Sequence, residues 1–370
     1  MEFREYRFDE VSINYDKKRI PLSSAQREKR KGNYRYYGAQ GVIDYIDDYI
    51  FDGTFLLIAE DGENLKSKKQ NIAQVVNGQF WVNNHAHIVM GNNLCDTYYL
   101  CYLINSIDLS GYITGSAQPK LSQANLNAVT LLLPEIEIQK KIVDYLGKID
   151  KKIEINKKIN ENLADLLQTI YQEHFSNISL AEKQGILSDI CSYSKEKVAV
   201  SKLSVSNYFS TENMLPGKAG ATEATSLPTI LQTTACHKGN TLISNIRPYF
   251  RKIIYCEDEC GCSTDVLCFA PVQAQYAAYL FSTLYADKFF DFMVAGSKGT
   301  KMPRGDRQQI MTYPIFLPSE EELETFNTVA FPILAQLDSN RVESKQLSEL
   351  RETLLPKLMS GEIDVSDLDI

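Results

Sequence analysis

The sequence lacks the motifs by which the common catalytic sites are recognised. It contains no GxxxxGK[ST] phosphate loop, no GxSxG nucleophile elbow and no HExxH zinc pair. An Asn/Asp-Pro-Pro-aromatic signature for amino methylation is also missing, and four histidines in 370 residues leave little material for acid–base networks. These absences argue against enzymes of those classes, although scattered carboxylates could still build a nuclease site.

Long apolar runs are missing as well. No stretch approaches the length that crosses a bilayer, and Met1–Glu5 lacks the apolar start of a secretory signal. With 44% apolar residues, the chain is predicted to be a folded, soluble protein. Because no signal peptide is apparent, we expect it in the cytoplasm, with its eight cysteines reduced.

The cysteines and histidines make a weak case for a metal site. Four cysteines fall close together, but their spacing does not form the paired CxxC knuckles of a zinc site. They are Cys256, Cys260, Cys262 and Cys268. Buried free thiols are therefore favoured over zinc. His85 and His87 alternate along a predicted strand, where ordinary strand positions are favoured over metal ligands. We predict no metal in this chain.

The net charge of −8 is unevenly distributed. Residues 319–370 contain twelve acidic and four basic residues, so the rest of the chain is electrically balanced. Within that remainder, Lys17–Gln40 contains eight basic residues and a single acid, Glu28. The acidity is thus concentrated in the C-terminal segment and does not exclude DNA from the remaining surface.

The sequence repeats itself with an offset of 184 residues. Residues 115–134 align with residues 299–318 without a gap, so that Pro119 matches Pro303 and Lys120 matches Arg304. The same offset continues through a long helical pattern in each copy. A repeat of a mixed domain followed by a long helix predicts two globular domains, at 1–134 and 179–318, each followed by a helical segment, at 135–178 and 319–370.

The helical segments show a heptad pattern. From residue 135 onward, apolar residues are separated alternately by four and three positions, which predicts a helix over 135–175 of about 60 Å. The predicted seam consists of Ile142, Leu146, Ile149, Ile153, Asn156, Leu163, Ile170, Ile333, Leu337, Asn340, Leu347 and Leu354. Asn156 and Asn340 occupy equivalent places. They either fix the register of two paired helices from buried positions or are simply exposed.

Basic residues mixed with aromatic and amide side chains are the candidates for nucleic-acid contact. In the first half they are Lys17, Lys18, Arg19, Arg27, Lys29, Arg30, Lys31, Arg35, Tyr36, Tyr37, Gln40 and Lys120. In the second half they are Arg247, Tyr249, Arg251, Lys252, Lys298, Lys301 and Arg304. Cations neutralise phosphates, while Tyr, Gln and Arg stack on bases or bond to their edges. The alternative for each segment alone is a solvated basic loop.

Several motifs in this order resemble the specificity subunit of type I restriction-modification systems. They are Tyr36–Gly41, Ala59–Leu65, Gly115–Leu121, Leu133–Pro134 with Gln139–Val143, Ile246–Tyr249 and Leu354–Ile363. The second copy departs from the first where Met302 replaces Gln118 and Gly305 replaces Leu121. This departure leaves open whether the second loop makes different contacts.

The resemblance implies an α+β fold in which two target-recognition domains are separated by an antiparallel pair of long coiled-coil helices. Each domain would recognise one half of a split, asymmetric site in double-stranded DNA. The chain itself would be non-catalytic and without a cofactor. Two modification subunits would methylate adenine with S-adenosylmethionine, and restriction subunits would use ATP and magnesium; no membrane is involved. The alternatives are a scaffold whose domains bind peptides and a lone nuclease or methylase.

Overall fold

The computed structural model describes residues 1–68, 70–115, 118–175 and 184–366 as an α+β protein. The chain divides into two units, unit 1 comprising Met1–Ile153 with Lys345–Ile370 and unit 2 comprising Glu154–Ser344. Ser116 and Ala117 of one predicted motif lie outside the described residues. The predicted end of the first long helix at 178 and start of the second domain at 179 lie outside them too.

Unit 1 contains a six-stranded sheet in the order β2-β7-β5-β6-β3-β4 and a separate pair, β1 with β8. The strands are β1 Arg4–Arg7, β2 Ser12–Asn14, β3 Lys31–Gly38, β4 Gly41–Ile46, β5 Phe51–Ala59, β6 Ala73–Val82, β7 Ala86–Gly91 and β8 Thr130–Leu133. The helices are α1 Phe8–Val11, α2 Ser24–Glu28, α3 Asn64–Ser67, α4 Thr97–Ser106, α5 Gln123–Asn127 and the first part of α6 Ile136–Phe175.

Alternation along β5 builds the core of unit 1. Leu56 and Ile58 pack into one apolar cluster, together with residues of α4, whereas Phe55 and Leu57 pack into a second cluster on the opposite face. The strand β8 begins at Thr130, because residues 123–127 form α5, whose first turn is capped by the hydroxyl of Ser122.

Unit 2 contains two four-stranded sheets, in the orders β10-β17-β14-β15 and β11-β13-β16-β12, and the pair β9 with β18. The strands are β9 Gln184–Ile186, β10 Cys191–Tyr193, β11 Lys197–Ala199, β12 Tyr208–Phe209, β13 Gln232–Cys236, β14 Thr241–Ser244, β15 Ile253–Tyr255, β16 Cys260–Cys262, β17 Val266–Pro271 and β18 Pro314–Phe316. The helices are the second part of α6, then α7 Ala277–Tyr285, α8 Asp287–Ala295, α9 Arg307–Met311 and the first part of α10 Glu320–Ser360.

Three consecutive elements occur in both units at the offset found in the sequence. The helices α5 and α9 begin at Gln123 and Arg307, and the strands β8 and β18 begin at Thr130 and Pro314. The long helices α6 and α10 begin at residues 136 and 320, which confirms the helix predicted over 135–175. Local structure thus follows the 184-residue offset from the end of each globular part into each long helix.

Within each unit, α6 and α10 pack together in antiparallel directions. In unit 1, Ile142 and Leu146 share a core cluster with Leu358, and the Arg351 guanidinium lies 2.7 Å from the Asp150 carboxylate. In unit 2, the rings of Phe175 and Phe326 lie 5.3 Å apart. Every residue of the predicted seam is buried or half-buried.

A layer of polar side chains lies between the two helices in unit 2. Asn156 Nδ2 donates to Glu343 Oε2 at 2.7 Å and to Ser344 Oγ at 3.3 Å, while Asn340 Nδ2 donates to Asn160 Oδ1 at 2.8 Å. Asn156 is 1% exposed and Asn340 6%. The alternative that these two asparagines are exposed is therefore wrong.

The eight cysteines are all free thiols, and five of them pack in one core cluster of unit 2. These five are Cys236, Cys256, Cys260, Cys262 and Cys268. Within the described ranges, no group of His, Cys, Asp and Glu is arranged to hold a metal ion. None of the helices described is apolar enough over a sufficient length to cross a membrane.

Candidate nucleic-acid interface

The basic segment Lys17–Gln40 of unit 1 is not a single loop. It begins in a short 3-10 turn, continues through α2 and ends along β3, which lies between β4 and β6 in the sheet. Strand pairing brings acidic residues of β4 and the following turn against it. The segment Lys17–Gln40 contains only one acidic residue of its own, but in the folded chain Asp44, Asp47 and Asp48 form ion pairs with it.

Three of the predicted cations form ion pairs with these carboxylates. Arg27 lies 3.1 Å from Asp44, Lys31 lies 2.9 Å from the same carboxylate, and Arg30 lies 2.9 Å from Asp47. The hydrogen bond from Lys31, with help from the Tyr45 backbone N–H and Arg27, lowers the pKa of Asp44 to about 2. Asp44 therefore remains ionised at neutral pH and offsets much of the positive charge around it.

The two tyrosines predicted to contact DNA are buried. Tyr36 is 0% exposed and its hydroxyl accepts a hydrogen bond from the Leu22 backbone N–H at 2.9 Å. Tyr37 is 4% exposed and packs edge-on against Phe80. Tyr36 and Tyr37 pack in two different apolar clusters, so neither ring is available to a base. Burial of both rings argues against the prediction that Tyr36 and Tyr37 contact DNA.

Arg19 also has a structural role. Its side chain is 16% exposed, and Nη1 lies 2.8 Å from Glu60 Oε2 and donates to the Ala86 carbonyl oxygen at 2.9 Å. Nη2 lies 3.4 Å from Asp16. Because its charge is already balanced by two carboxylates, Arg19 is removed from the set of DNA-contact candidates.

The same ion cluster contains a buried histidine. His87 is 1% exposed; Nδ1 lies 2.6 Å from Asp16, and Nε2 lies 2.8 Å from the carbonyl oxygen of Leu121. A carbonyl oxygen only accepts, so Nε2 donates there and the ring links Asp16 to the loop that ends at Leu121. Burial would raise the pKa of Asp16, but the hydrogen bonds from His87 and the Ile88 backbone N–H, with the charges of His87 and Arg19, lower it.

Several predicted residues of unit 1 remain accessible. Lys17, Lys18, Lys29 and Gln40 are exposed, and neither Lys17 nor Lys29 has an ion-pair partner in the part of the chain that is described. Lys120 is 53% exposed, with Nζ 3.3 Å from Glu60. Arg35 is half-buried and donates to the Asn77 carbonyl oxygen at 2.6 Å.

In each unit, the turn after a central strand is joined to a loop containing Gly and Pro. In unit 2 the Arg247 backbone N–H donates to the Pro303 carbonyl oxygen at 2.8 Å, and Ile246 forms a β-bridge with Arg304. In unit 1 the Gly62 backbone N–H donates to the Pro119 carbonyl oxygen at 3.1 Å, and Asp61 forms a β-bridge with Lys120. Pro119 and Pro303, like Lys120 and Arg304, differ by the 184-residue offset. The folded chain therefore brings together segments that the sequence presents separately.

The loop of unit 2 is basic and exposed. The side chains of Lys298 and Arg304 are 82% and 56% exposed, and they pair with Asp306 at 2.6 Å and Asp265 at 3.0 Å. Lys301 is exposed and has no ion-pair partner among the residues described. This loop presents cations at a surface where a phosphate backbone can reach them.

The remaining candidates of unit 2 lie in the joined turn. Tyr249 is 51% exposed. The guanidinium of Arg251 lies 2.9 Å from Asp287, and Lys252 Nζ donates to the Thr211 carbonyl oxygen at 2.6 Å. Burial lowers the pKa of Lys252. Arg251 and Lys252 therefore stabilise the conformation of the turn, and they add little positive charge that is available to a ligand.

Packing explains one departure between the two copies. A Cβ at Gly305 would lie 2.8 Å from both Asn245 Oδ1 and Met293 Cε and 2.9 Å from Ile310 Cδ1. The equivalent Leu121 is fully buried in the core of unit 1. A side chain at position 305 would therefore require the ends of these three neighbouring side chains to move. Met302, which replaces Gln118, is 52% exposed.

The architecture and this surface define an α+β protein with two units, each presenting a joined turn and loop that carry a basic residue after Pro. Residues 2–165 match the family of type I restriction modification DNA specificity domains. This match covers less than half of the chain, and together with the specificity subunits among its relatives it confirms the resemblance to specificity subunits of type I restriction-modification systems.

Two curated relatives support this assignment. A type I restriction enzyme specificity subunit of Haemophilus influenzae is 33% identical over 141 residues, which cover 38% of this chain and 36% of that protein. The MjaIX specificity subunit of Methanocaldococcus jannaschii is 23% identical over 301 residues, covering 73% of this chain and 70% of that protein. The chain thus matches little more than a third of the length of the Haemophilus protein.

A solved structure shares the fold. The crystal structure of the type I restriction-modification S subunit from M. genitalium superposes with a TM-score of 0.59. The superposition covers 96% of each chain at 15% sequence identity. At this identity the likeness establishes the fold alone, and it supports the α+β class expected from the sequence.

Proposed function

We propose that this chain is the non-catalytic, sequence-specific DNA-binding subunit of a type I restriction-modification complex. The observation that carries the proposal is the joined turn and loop, which recurs in both units with Pro119 and Pro303 at the same offset. Two similar surfaces with different side chains are suited to two different half-sites. The target is then a bipartite, asymmetric sequence in double-stranded DNA.

Within this proposal, each unit acts as one target-recognition domain. In unit 1 the accessible contacts are Lys17, Lys18, Lys29, Gln40 and Lys120. In unit 2 they are Tyr249, Lys298, Lys301 and Arg304. The exposed lysines and Arg304 neutralise phosphates, while Gln40 and Tyr249 reach base edges or faces. Four ion-paired residues mainly shape these surfaces: Arg27, Arg30, Lys31 and Arg251. Three residues that donate to backbone carbonyl oxygens do the same: Arg35 and Lys252 through their side chains and Arg247 through its backbone N–H.

The helices α6 and α10 form the spacer in this proposal, as an antiparallel coiled coil within an internal two-fold repeat. Support comes from the buried or half-buried state of every seam residue and from the polar layer around Asn156 and Asn340. A buried asparagine layer penalises shifted pairings, because a shift would leave amide groups without partners. The length of the unread gap would depend on this register.

Catalysis is assigned to partner subunits. Two modification subunits would methylate adenine with S-adenosylmethionine, and restriction subunits would supply an ATP- and magnesium-dependent motor and nuclease. The chain would bind no cofactor itself and would act in the cytoplasm. The match of residues 2–165 to the specificity-domain family and the specificity-subunit names of the chain's relatives support this division.

Footprinting of the chain in complex with its modification subunits tests the proposal. Two protected DNA segments separated by an unprotected gap are expected. Absence of protection would favour the alternative of a peptide-binding scaffold. Incubating the purified chain with DNA, magnesium and methyl donor checks the second alternative, because cleavage or methylation by the chain alone would contradict a non-catalytic role.

A further inference from the structure

The turn from Arg247 to Arg251 in unit 2, here called the aromatic turn, has an unusual backbone. Pro248–Phe250 forms a single 3-10 turn, and the arginines on either side both have φ of +51°. Residues with a Cβ rarely adopt this left-handed conformation. Two such residues within five positions indicate a shape that is held by its surroundings, and retained backbone strain of this kind clusters at functional sites.

Hydrogen bonds fix the aromatic turn from two sides. Arg247 N donates to the Pro303 carbonyl oxygen at 2.8 Å, and the Gly217 backbone N–H donates to the Phe250 carbonyl oxygen at 2.8 Å. The Lys218 backbone N–H donates to the Arg251 carbonyl oxygen at 2.9 Å. Since Pro248 is buried as well, the turn is rigid before any ligand arrives, and little conformational entropy would be lost on binding.

This rigid turn presents two aromatic rings to solvent. Tyr249 is 51% exposed and Phe250 39%, and their ring centroids lie 4.8 Å apart. Neither ring belongs to the apolar core clusters of unit 2. Packing of the core therefore does not require two large aromatic side chains at this position. Contact with a flat apolar surface of another molecule would require them.

The equivalent turn in unit 1 is built differently. Gly62 and Arg247 make the same backbone hydrogen bond in the two turns, so Tyr249 corresponds to Asn64, which is 6% exposed and donates to the Gln70 carbonyl oxygen at 2.8 Å. Phe250 corresponds to Leu65, which is 1% exposed and packs in the core. The exposed aromatic pair is thus a property of unit 2 and not a requirement of the shared turn.

The charge around the aromatic turn favours nucleic acid as the occupant. Residues 247–252 and 298–304 contain six cations and no acid. Carboxylates from other segments, such as Asp287 and Asp306, pair with some of these cations, but Lys301 has no such partner in the described chain. A nucleic acid can use both features, because its bases stack on aromatic rings and its phosphates bind cations. A neutral apolar peptide would contact the rings but would form no ion pairs with the cations.

We propose that Tyr249 and Phe250 form a wedge that stacks on an opened base step in the DNA half-site contacted by unit 2. The inference rests on the proposed function and adds a mode of contact to it. The cations of the 298–304 loop hold the phosphates, while the rings insert between bases and replace part of the base stacking that is lost.

Affinity measurements on the assembled complex with its modification subunits test the wedge. The probe is a duplex carrying the half-sites found by footprinting. Tyr249→Ala and Phe250→Ala are each expected to weaken binding about five- to 150-fold, the range measured when a stacking aromatic is removed. Tyr249→Phe should retain affinity and Tyr249→Leu should lose it, because Leu keeps apolar area but lacks a ring.

Salt dependence separates stacking from charge. Tyr249→Ala should lower affinity equally at all salt concentrations, whereas Lys301→Ala should reduce the salt slope by about 0.9 for one lost phosphate contact. Leu231→Ala serves as the matched control, because Leu231 is an 89% exposed apolar side chain elsewhere in unit 2 and should leave affinity unchanged. Thermal unfolding of each variant confirms that unit 2 is folded.

Permanganate, which oxidises unstacked thymines, reports the opened step directly. The wild-type complex should make a thymine within the second half-site hyperreactive, and Tyr249→Ala with Phe250→Ala should abolish that signal. Unchanged affinity and an unchanged pattern in this double variant would overturn the wedge while leaving the proposed function intact. The double variant could instead assemble poorly with the modification subunits while the complex that still forms binds DNA normally. That result would identify the turn as a protein-docking surface and would overturn the wedge. No protected half-site with the wild type would remove both proposals.

Discussion

Replacing Asp16 by Asn tests the buried ion cluster of unit 1. Asp16 lies 2.6 Å from His87 Nδ1, accepts the Ile88 backbone N–H at 2.8 Å and lies 3.4 Å from Arg19. Asn keeps the shape but removes the charge shared by His87 and Arg19. Breaking a buried ion pair costs about 3–5 kcal/mol. Because Arg19 retains Glu60 at 2.8 Å, we expect the lower end, a loss of about 3 kcal/mol in the free energy of unfolding of unit 1.

The pH dependence of this loss separates charge from packing. The pKa of Asp16 is lowered in the folded chain from its ordinary value of 3.8. Its ionised form therefore stabilises the fold fully above that value, and the contribution disappears as the pH falls through the lowered pKa. Asn at this position does not titrate. The stability difference between wild type and Asp16→Asn should thus shrink as the pH falls below about 4.

Fluorescence of Trp81 provides the assay. Trp81 is the sole tryptophan of the chain, lies in unit 1, is 4% exposed and donates from Nε1 to the Ile20 carbonyl oxygen at 2.6 Å. Its emission during guanidinium unfolding should follow unit 1. The matched control is Asp48→Asn, because that carboxylate is 59% exposed and 3.6 Å from Arg30, and its loss should cost less than about 1 kcal/mol. Equal losses in the two variants, or a pH-independent difference, would refute the reasoning.

Three further predictions follow from the other elements. Asn156→Leu should lower the free energy of unfolding of unit 2 by about 1 kcal/mol in thermal unfolding, because the Glu343 carboxylate and the Ser344 hydroxyl lose the Asn156 Nδ2 donor. Lys17→Ala combined with Lys29→Ala should reduce the salt slope of DNA binding by about 1.8, measured by titration of the complex, and an unchanged slope would exclude both lysines. Gly305→Ala should destabilise unit 2 in chemical unfolding by about 1 kcal/mol, because the ends of the Asn245, Met293 and Ile310 side chains would have to move away from the added Cβ. Gly147→Ala, with open space around its Cβ, should not destabilise unit 1.

The candidate site could be predicted only in part. The sequence pointed to the joined loops of both units, because Pro119, Pro303 and the basic residue after each are visible in the repeat. It failed for Tyr36 and Tyr37, which were assigned to an accessible basic segment and are buried in β3. Glycine and tyrosine in an alternating stretch fit a loop or an inner strand equally well, and only pairing with β4 and β6 decides between them.

The aromatic turn shows a second limit. Arg247 and Tyr249 were selected by composition, but nothing in the sequence indicates that two arginines adopt left-handed backbone conformations or that Phe250 is exposed. Those features depend on hydrogen bonds to Gly217 and Pro303, which are distant along the chain. Segments far apart in sequence contribute to local conformation only after the fold brings them together.

By itself, the sequence determined the long helices, their inward-facing seams and the 184-residue offset. The reason is that hydrophobic periodicity is a property of neighbouring residues, so a helix such as Ile136–Phe175 is encoded locally. Tertiary structure alone decided which cations stay free, because Asp44 reaches Arg27 and Lys31 through strand pairing. Ion pairing and exposure depend on distances across the fold, and those distances are set by packing rather than by sequence separation.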